Sequence, residues 1–277
     1  MNEQVRRRSA RSMLLTVLGE YVLPTGEGVW QETLIGALGS LDFKPQAARQ
    51  ALARSVTAGW LQTERHGRRA RVHLTGEARV MLSTGAERIY SFGKPWEWDG
   101  RWLLVVVRVP EERRDVRHLI RSRLAWAGFG SLGNGLWITP HAEREAEVRR
   151  DLPAAELLSF RAEFGSIGDP AKVVADAWDL DDVAARYREF IARFERLRAL
   201  TPRDAFRAQT ELVHAWRKFP FLDPDLPPET LPAGWPRTHA QRVFAERHAE
   251  WAAPAGEWFE SLLRSEPWIT ASSAPAA

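Results

Sequence analysis

The sequence predicts a multidomain α+β protein, because three consecutive blocks of the chain differ in their hydrophobic pattern. The first block has helical periodicity with two short extended stretches, the second opens on a continuous apolar strand, and the third is helical again. A length of 277 residues suits two or three small domains better than one compact core. We therefore predict domains at residues 1–84, 101–168 and 169–265, a linker at 85–100 and a disordered tail at 266–277.

The first block predicts four helices and a β-hairpin. Apolar residues recur at helical spacing in three runs, and each run ends at a proline or glycine signal. The predicted elements are helices at Met13–Tyr21, Trp30–Gly39 and Pro45–Ala58, strands at Trp60–Glu64 and Arg71–Leu74 joined at His66-Gly67, and a last helix from Thr75. This order is typical of a winged helix-turn-helix, a DNA-binding fold.

The second block predicts a ferredoxin-like sandwich. The run Trp102–Val109 is continuously apolar, as in a strand that is buried on both faces. A helix at Glu111–Ala127, a glycine-rich hairpin at Phe129–Pro140, a helix at Glu143–Arg150 and a strand at Leu157–Phe164 follow. The resulting β-α-β-β-α-β order is that of a ferredoxin-like fold.

The third block predicts a helical C-terminal domain. Amphipathic periodicity covers Asp181–Leu200 and Asp204–Phe219, which are separated by Thr201-Pro202. A proline-rich loop at Pro220–Pro236 precedes a long helix at Thr238–Leu263. Between the first two blocks, the predicted linker contains two tryptophans, and we expect it to pack against a domain rather than to be flexible.

The positive charge of the chain is concentrated in its N-terminal segment. Residues 1–80 contain 12 Lys/Arg and 7 Asp/Glu, whereas the remaining residues contain 27 Lys/Arg and 29 Asp/Glu. The first segment is therefore positive and the rest slightly negative, as expected if the first segment meets a polyanion. Arg6, Arg7, Arg8 and Arg11 can add phosphate contacts, although a disordered basic tail explains them equally well.

The third predicted helix has one face suited to reading bases. Small and apolar residues form its inward face: Ala48, Ala51, Leu52, Ser55 and Val56. The opposite face has no acidic residue, and it provides the candidate DNA-binding residues Gln46, Arg49, Gln50, Arg54 and Thr57. Glutamine pairs with adenine and arginine with guanine in the major groove, so this face has the chemistry of a recognition helix.

The hairpin that follows is rich in arginine. Its candidate DNA-binding residues surround Gly67 and are Arg65, His66, Arg68, Arg69 and Arg71. A wing of this kind can straddle a phosphate ridge or enter a minor groove, where the potential is negative. The alternative is a solvated hairpin whose charges have no partner, and the acid-free helix beside it favours DNA.

No pattern in the sequence points to catalysis or to a metal site. The chain has no cysteine, which excludes disulfides and thiolate ligands, and its seven histidines are scattered. Ser131 lacks the glycine spacing of a nucleophile elbow. The apolar runs are too short to span a bilayer, and we recognise no signal peptide, so we predict a soluble cytoplasmic protein that is not an enzyme.

Five strings of residues in the second and third blocks are distinctive: Trp98–Trp102, Val109–Arg114, Leu124–Gly130, Leu136–His141 and Phe219–Pro228. They resemble the corresponding strings of the PaaX family, the repressors of bacterial phenylacetate catabolism. The resemblance extends over nearly the whole chain. It implies a winged-helix head, a Cas2-like form of the ferredoxin-like middle domain and a helical C-terminal domain, assembled as a homodimer.

The resemblance also implies a function. A PaaX-like repressor binds double-stranded operator DNA, associates with the nucleoid and is released by phenylacetyl-CoA. The alternative is a relative with the same architecture and a different effector or regulon, because the shape of a pocket sets its specificity.

Four residues at the end of one predicted C-terminal helix are candidates for binding an acyl-CoA. They are His214, Arg217, Lys218 and Phe219. Cationic side chains can meet the phosphates of such an effector, and an aromatic ring can stack on its adenine or phenyl group. The alternative is that the four residues cap and pack the helix.

The likeness to Cas2 raises an enzyme alternative, a metal-dependent nuclease. Cas2-type proteins place an aspartate at the end of the first strand of the sandwich, where it can bind a divalent cation. Here that strand ends Val107-Arg108-Val109-Pro110. An arginine cannot ligate a cation, so the sequence disfavours the nuclease.

Overall fold

The computed structural model describes residues 9–94, 96–108, 114–152 and 156–264. The basic arm at Arg6–Arg8, part of the string Val109–Arg114 and the tail at 266–277 lie outside these residues. The chain divides into two compact units. The first comprises Met1–Tyr90, Arg193–Arg217 and Arg242–Ala277, and the second comprises Ser91–Ala192 and Lys218–Gln241.

The helices and strands follow one another in a mixed order. In the first third of the chain they are α1 (Ala10–Val17), a π-helical turn (Leu18–Val22), a 3₁₀ turn (Leu23–Thr25), β1 (Val29–Trp30), α2 (Gln31–Ser40), α3 (Pro45–Thr57), β2 (Leu61–His66), β3 (Arg69–Leu74) and α4 (Gly76–Ser91). In the middle they are β4 (Trp102–Arg108), α5 (Arg114–Trp126), β5 (Gly130–Gly133), β6 (Leu136–Thr139), α6 (Arg144–Asp151) and β7 (Glu156–Ala162). The last third has α7 (Pro170–Ala177), α8 (Leu180–Phe194), α9 (Pro202–Trp216), α10 (Phe219–Leu222), a 3₁₀ turn (Pro228–Thr230) and α11 (Arg237–Arg264).

The first unit contains a small antiparallel sheet with strand order β1-β3-β2. The sequence predicts its hairpin but not β1, because two residues carry no periodicity. Trp30, predicted as the first residue of a helix, lies instead in β1 opposite Arg71, and its extended backbone caps α2. The helix after the hairpin is capped as predicted, since the Thr75 hydroxyl accepts the Ala78 N–H at 3.1 Å.

The core of the first unit combines both ends of the chain. Met13 and Leu14 of α1 and Leu34 and Leu38 of α2 are completely buried. Aromatic rings from α9 and α11 reach the π-helical turn, where the Tyr21 ring lies 4.9 Å from that of Phe206 and 5.2 Å from that of Phe259. Residues 169–265, predicted as one helical domain, are thus shared between the two units.

The second unit is built on a four-stranded antiparallel sheet of order β5-β6-β4-β7. Its β-α-β-β-α-β succession confirms the element order predicted for the second block. The central strand β4 pairs with β6 on one side and with the edge strand β7 on the other. Its side chains alternate between the two faces of the sheet, so other elements must pack against both faces to bury them.

Both faces of this sheet are covered, as the continuous apolar run of β4 predicts. Leu103 and Val105 point to the face with α5 and α6, where Ile120 and Leu124 are buried. Trp102 points to the opposite face, where Val174 of α7, Leu180 and Leu226 bury it.

Two predicted ends and one omitted helix are the main differences from the structure. Helix α4 continues to Ser91, past the predicted domain end at residue 84, and α8 ends at Phe194 rather than at Leu200. The predicted helices omit α7, although Asp169 and Pro170 are a capping residue and a first-turn residue. The Asp169 carboxylate accepts the Ala171 N–H at 2.9 Å, so a local signal for α7 was present.

Candidate nucleic-acid interface

Helix α3 is fixed by a small apolar face. Pro45 occupies its first turn, where a missing N–H costs nothing. Ala48, Ala51 and Leu52 are buried against the neighbouring helices, and the buried Ser55 hydroxyl donates to the Ala51 carbonyl oxygen at 2.9 Å. Small side chains on this face let α3 approach α1 and α2 closely, which holds the opposite face outward.

The five candidate residues on the outer face of α3 are all exposed. They are Gln46, Arg49, Gln50, Arg54 and Thr57. Val56, predicted to point inward, is 39% exposed because it lies in the last turn, beyond the packed part of the helix. The Thr57 hydroxyl donates to the Ala53 carbonyl oxygen at 3.1 Å, so only its methyl group and its lone pairs face outward.

The outer face of α3 has the chemistry to read base edges. No acidic residue occurs between Pro45 and Thr57, and Lys44 is exposed at the helix start. Gln46 and Gln50 lie one turn apart, as do Gln50 and Arg54, so donors and acceptors form a continuous row. Sequence reasoning omits Lys44, which adds a positive charge to the end of this row.

The arginines of the β2–β3 hairpin fall into two groups. At its tip Gly67 has a left-handed backbone with φ of 62°, and Arg65 and Arg68 on either side are exposed. His66 is exposed as well, 3.1 Å from the Glu64 carboxylate and edge-on to the Trp30 ring. The tip therefore presents two guanidinium groups and one imidazole to solvent.

Arg69 and Arg71 instead face β1. The Arg69 guanidinium lies 4.4 Å above the centre of the Trp30 ring. Arg71 donates from Nε to the Gly28 carbonyl oxygen at 3.0 Å and contacts the Glu27 carboxylate at 3.4 Å. These contacts hold β1 on the sheet, and the sequence does not separate them from the tip because β1 is missing from the prediction.

Two further arginines make contacts within the first unit. Arg11 stacks on Trp60 at 4.9 Å, and Arg79 donates to the Gly26 carbonyl oxygen at 2.7 Å. Together with Arg71, Arg79 fixes the loop that leads into β1. The first unit thus uses part of its positive charge for its own structure and presents part of it on α3 and the hairpin tip.

The four candidate effector residues are divided between the two units. His214 and Arg217 belong to the first unit, and Lys218 and Phe219 to the second. His214 is buried with Nδ1 3.0 Å from the Thr16 hydroxyl. Arg217 donates to the Ser12 hydroxyl at 2.7 Å, and burial lowers its pKa.

In the second unit, Phe219 is buried and Lys218 is exposed. The Phe219 ring stacks on Tyr187 at 4.2 Å with an interplanar angle of 3°. His214, Arg217 and Phe219 are therefore all engaged in contacts inside their own units. This arrangement favours packing roles for these three residues, and Lys218 is exposed.

A buried polar network in the second unit was not predicted. The Tyr187 hydroxyl donates to Asp223 at 2.7 Å, and Arg237 bonds Asp225 at 2.7 Å and lies 3.6 Å from Asp223. Burial raises the pKa of Asp225 and that of the Tyr187 hydroxyl. The network fixes the turn at Asp225, whose φ of 57° is in the left-handed region.

The same network reaches the sandwich through His141. Its Nε2 lies 3.1 Å from the Asp225 carbonyl oxygen and its ring packs on Trp96 at 4.7 Å. Its Nδ1 lies 3.2 Å from Glu143, and this hydrogen bond lowers the pKa of the Glu143 carboxyl. Leu136–His141 and Phe219–Pro228, two strings singled out in the sequence, thus meet at His141 and Asp225.

Within the described ranges, no three His, Cys, Asp or Glu side chains come together in a way that could hold a metal ion. Strand β4 ends at Arg108, which pairs with Glu156 across the sheet at 3.3 Å. No helix among the described residues is both long and apolar enough to cross a membrane.

Comparisons with known proteins cover almost the whole chain. Residues 9–78 match a family described as PaaX-like protein, residues 95–174 the PaaX protein central Cas2-like domain, and residues 178–261 the PaaX-like protein C-terminal domain. The chain is 30% identical over 270 residues to the transcriptional repressor PaaX of Escherichia coli (strain K12), which covers 91% of this chain and 83% of the relative.

The fold is also similar to that of a solved structure, the uncharacterized protein Rv0674 from Mycobacterium tuberculosis. The TM-score is 0.62 and the sequence identity 22%, over 92% of this chain and 98% of that chain. At this identity the likeness concerns the fold alone.

Proposed function

We propose, from the premise that the chain belongs to the PaaX family of transcriptional repressors, that α3 is its DNA-reading helix. In this proposal α2, α3 and the β2–β3 hairpin form a winged helix-turn-helix. The observation that carries it is the exposed, acid-free face of α3, on which Gln46, Arg49, Gln50 and Arg54 form one row. A row of this kind fits the edges of bases in a major groove.

The hairpin tip is the proposed phosphate contact. Arg65 and Arg68 are exposed beside Gly67, and their guanidinium groups can pair with phosphate oxygens. Arg69 and Arg71, which face β1, support the tip rather than reach beyond it. The tip therefore contributes affinity and salt dependence, and α3 contributes sequence discrimination.

The repressor acts as a homodimer on an inverted repeat in this proposal, with one α3 helix in each half-site. Two-fold symmetric proteins that read two major grooves bind half-sites one helical turn apart, or a multiple of a turn. Such a protein acts on double-stranded DNA in the cytoplasm and associates with the nucleoid. The E. coli relative, a transcriptional repressor, supports the DNA partner.

The proposed effector is phenylacetyl-CoA or a related aryl-acyl-CoA, and the proposed regulon is an operon for phenylacetate catabolism. An effector releases a repressor only if it binds the DNA-incompetent state more tightly than the competent one. A regulator of another regulon with a different effector is the second candidate, because the family leaves the effector of this chain open.

An electrophoretic shift with the DNA upstream of the gene tests the effector directly. The full chain is titrated on that DNA, and the complex is then challenged separately with phenylacetyl-CoA, free phenylacetate and CoA. We expect release by phenylacetyl-CoA alone. A stable complex in the presence of all three compounds would assign the protein to another effector, and cleavage of the DNA that requires magnesium would favour the Cas2-like nuclease.

A further inference from the structure

Two aromatic rings of the second unit are exposed side by side. Trp126, the last residue of α5, is 67% exposed, and Phe221 in α10 is 44% exposed. Their ring centres are 5.8 Å apart with an interplanar angle of 60°, so the edge of one ring meets the face of the other. Contiguous exposed apolar surface is a feature of ligand and partner sites.

Each of these rings has a cationic residue one helical turn before it. Arg123 precedes Trp126 by three residues on α5, and residues at this spacing are neighbours on a helix surface. Lys218 precedes Phe221 by three residues, and the Phe221 N–H donates to the Lys218 carbonyl oxygen at 3.1 Å. We call Arg123, Trp126, Lys218 and Phe221 the Trp126 patch.

The residues of α5 that precede Trp126 are basic rather than acidic. From Arg117 to Trp126, α5 has three arginines and one histidine and no acidic residue. The two aspartates that follow Phe221 belong to the buried network, where Tyr187 and Arg237 bind them. Asp223 is only 3% exposed, so its charge is compensated inside the unit rather than on the surface.

Flat rings beside cations suit a flat, anionic ligand. A purine stacks on an indole or phenyl ring, and ammonium and guanidinium groups pair with phosphate. A phosphorylated purine nucleoside combines both features, and the nucleotide end of coenzyme A is one. Neither feature alone specifies such a ligand, but the Trp126 patch provides both.

We propose that the Trp126 patch binds the phosphorylated adenosine of an acyl-CoA, an assignment that rests on the proposed effector. Lys218 is retained from the sequence-based candidates, and Phe221 takes the place of Phe219, whose ring is covered by Tyr187. The adenine lies on Trp126, and Arg123 and Lys218 face the phosphates.

Calorimetric titration of the full chain tests the Trp126 patch without DNA. The probes are coenzyme A, adenosine 3′,5′-bisphosphate, adenosine and inorganic phosphate. We expect the bisphosphate and coenzyme A to bind with similar affinity, and adenosine and phosphate alone to bind at least tenfold more weakly. Trp126→Ala and Arg123→Gln should each weaken binding of the bisphosphate at least tenfold.

Two matched variants control this experiment. Arg121→Gln removes the same charge from α5 at a position two residues from Arg123, on another side of the helix. Phe160→Ala removes an aromatic ring that is 55% exposed on the edge strand β7. Both should bind the bisphosphate like the wild type, and circular dichroism should report an unchanged fold for all four variants.

The outcomes separate this proposal from the proposed function. Failure of the bisphosphate to bind, or equal binding by Trp126→Ala and wild type, overturns the Trp126 patch even if phenylacetyl-CoA releases the DNA. Tight binding of the bisphosphate without any release of DNA supports the patch and contradicts the proposed effector. Binding of single-stranded DNA in preference to the bisphosphate would also overturn the assignment.

Discussion

Arg68 and Arg71 lie three residues apart in one hairpin, and the structure gives them different surroundings. Arg68 is exposed at the tip, whereas Arg71 donates to the Gly28 carbonyl oxygen and contacts Glu27. The same residue type therefore serves the proposed DNA contact in one case and the attachment of β1 in the other. A substitution at each position separates the two roles.

We predict that Arg68→Ala weakens binding to all DNA sequences and flattens the slope of log affinity against log salt by about one unit. One phosphate contact fewer releases about one counterion fewer.

Arg71→Ala should instead lower the free energy of unfolding by about 1 kcal/mol, because it leaves the Gly28 carbonyl oxygen without its charged donor. Fluorescence anisotropy at several salt concentrations and urea denaturation measure the two effects, and an unchanged salt slope in Arg68→Ala would contradict the assignment.

Glu20 provides a pH dependence at the residue scale. Its carboxylate accepts hydrogen bonds from Tyr90 at 2.6 Å, His248 at 2.9 Å and Gln209 at 3.2 Å. Burial disfavours its charge, but the hydrogen bonds from His248, Tyr90 and Gln209 together outweigh burial and lower the pKa of Glu20. A lowered pKa in the folded state means that ionised Glu20 stabilises the fold above the ordinary glutamate pKa of about 4.3.

We predict that Glu20→Gln lowers the free energy of unfolding by about 1–2 kcal/mol at pH 7. The difference from the wild type should shrink as the pH falls from about 5 to 3, because the wild-type carboxyl then becomes protonated too. Urea denaturation across this range measures it, and Glu77→Gln, at an exposed site on α4, is the control. A difference that stays constant with pH would show that Glu20 acts through its shape alone.

Residue-scale prediction from the sequence succeeded where exposure follows from helix periodicity. Gln46, Gln50 and Arg54 are exposed as predicted, because residues spaced four apart lie on the same face of a helix. Arg69 and Arg71 could not be separated from the hairpin tip, because their partners in β1 are about 40 residues away in sequence. His141 and Asp225 were missed for the same reason.

At the element scale, the β5–β6 hairpin depends on Gly135. This residue has a φ of 79°, and a Cβ at this position would lie 2.4 Å from the Val107 carbonyl oxygen. Its own carbonyl oxygen accepts the Val107 N–H at 2.8 Å, so the turn is attached to β4. Gly234 has a similar φ of 73° and nothing within 4 Å of its Cβ position.

We predict that Gly135→Ala destabilises the protein by about 1–3 kcal/mol more than Gly234→Ala does. Both variants have the strain of a left-handed alanine, about 1–2 kcal/mol. Only Gly135→Ala adds a clash with a backbone atom, which cannot move without breaking the strand pairing. Thermal unfolding of both variants measures the difference, and equal melting temperatures would count against this account of the hairpin.

Most elements could be predicted because their signals are local. Helix α3 has its proline start and glycine end, and β4 has an uninterrupted apolar run. Strand β1 has no signal of its own, since its two residues become a strand only through pairing with β3. The end of α8 at Phe194 also depends on packing, because the amphipathic pattern continues beyond it.

At the scale of the whole molecule, the first unit draws its core from three separate segments of the chain. Tyr21 packs on Phe206 and Phe259, and the Trp216 indole donates to the Ile89 carbonyl oxygen at 3.2 Å. No local pattern in residues 1–90 indicates that α9 and α11 complete this core. The sequence therefore predicted a separate N-terminal domain at residues 1–84, whereas in the structure α9 and most of α11 belong to the same compact unit.

We predict that a fragment of residues 1–91 does not fold stably. Without α9 and α11, Tyr21 and its neighbours in the π-helical turn lose their aromatic partners, and about 0.8 kcal/mol is lost for each buried methylene group that becomes exposed. Circular dichroism should show no cooperative thermal transition for the fragment under conditions in which the full chain melts cooperatively. A fragment that melts like the full chain would mean that the head is autonomous.

The central claim, that α3 reads operator DNA, is tested most directly by one comparison of affinities. Fluorescence anisotropy measures the binding of wild type and Gln50→Ala to the upstream operator and to a scrambled duplex of equal length and composition. We expect the wild type to prefer the operator, and Gln50→Ala to lose about 1–3 kcal/mol of that preference while it binds the scrambled duplex equally well. Gln62→Ala, at an exposed site on β2, should behave as wild type. An unchanged operator preference in Gln50→Ala would contradict the claim.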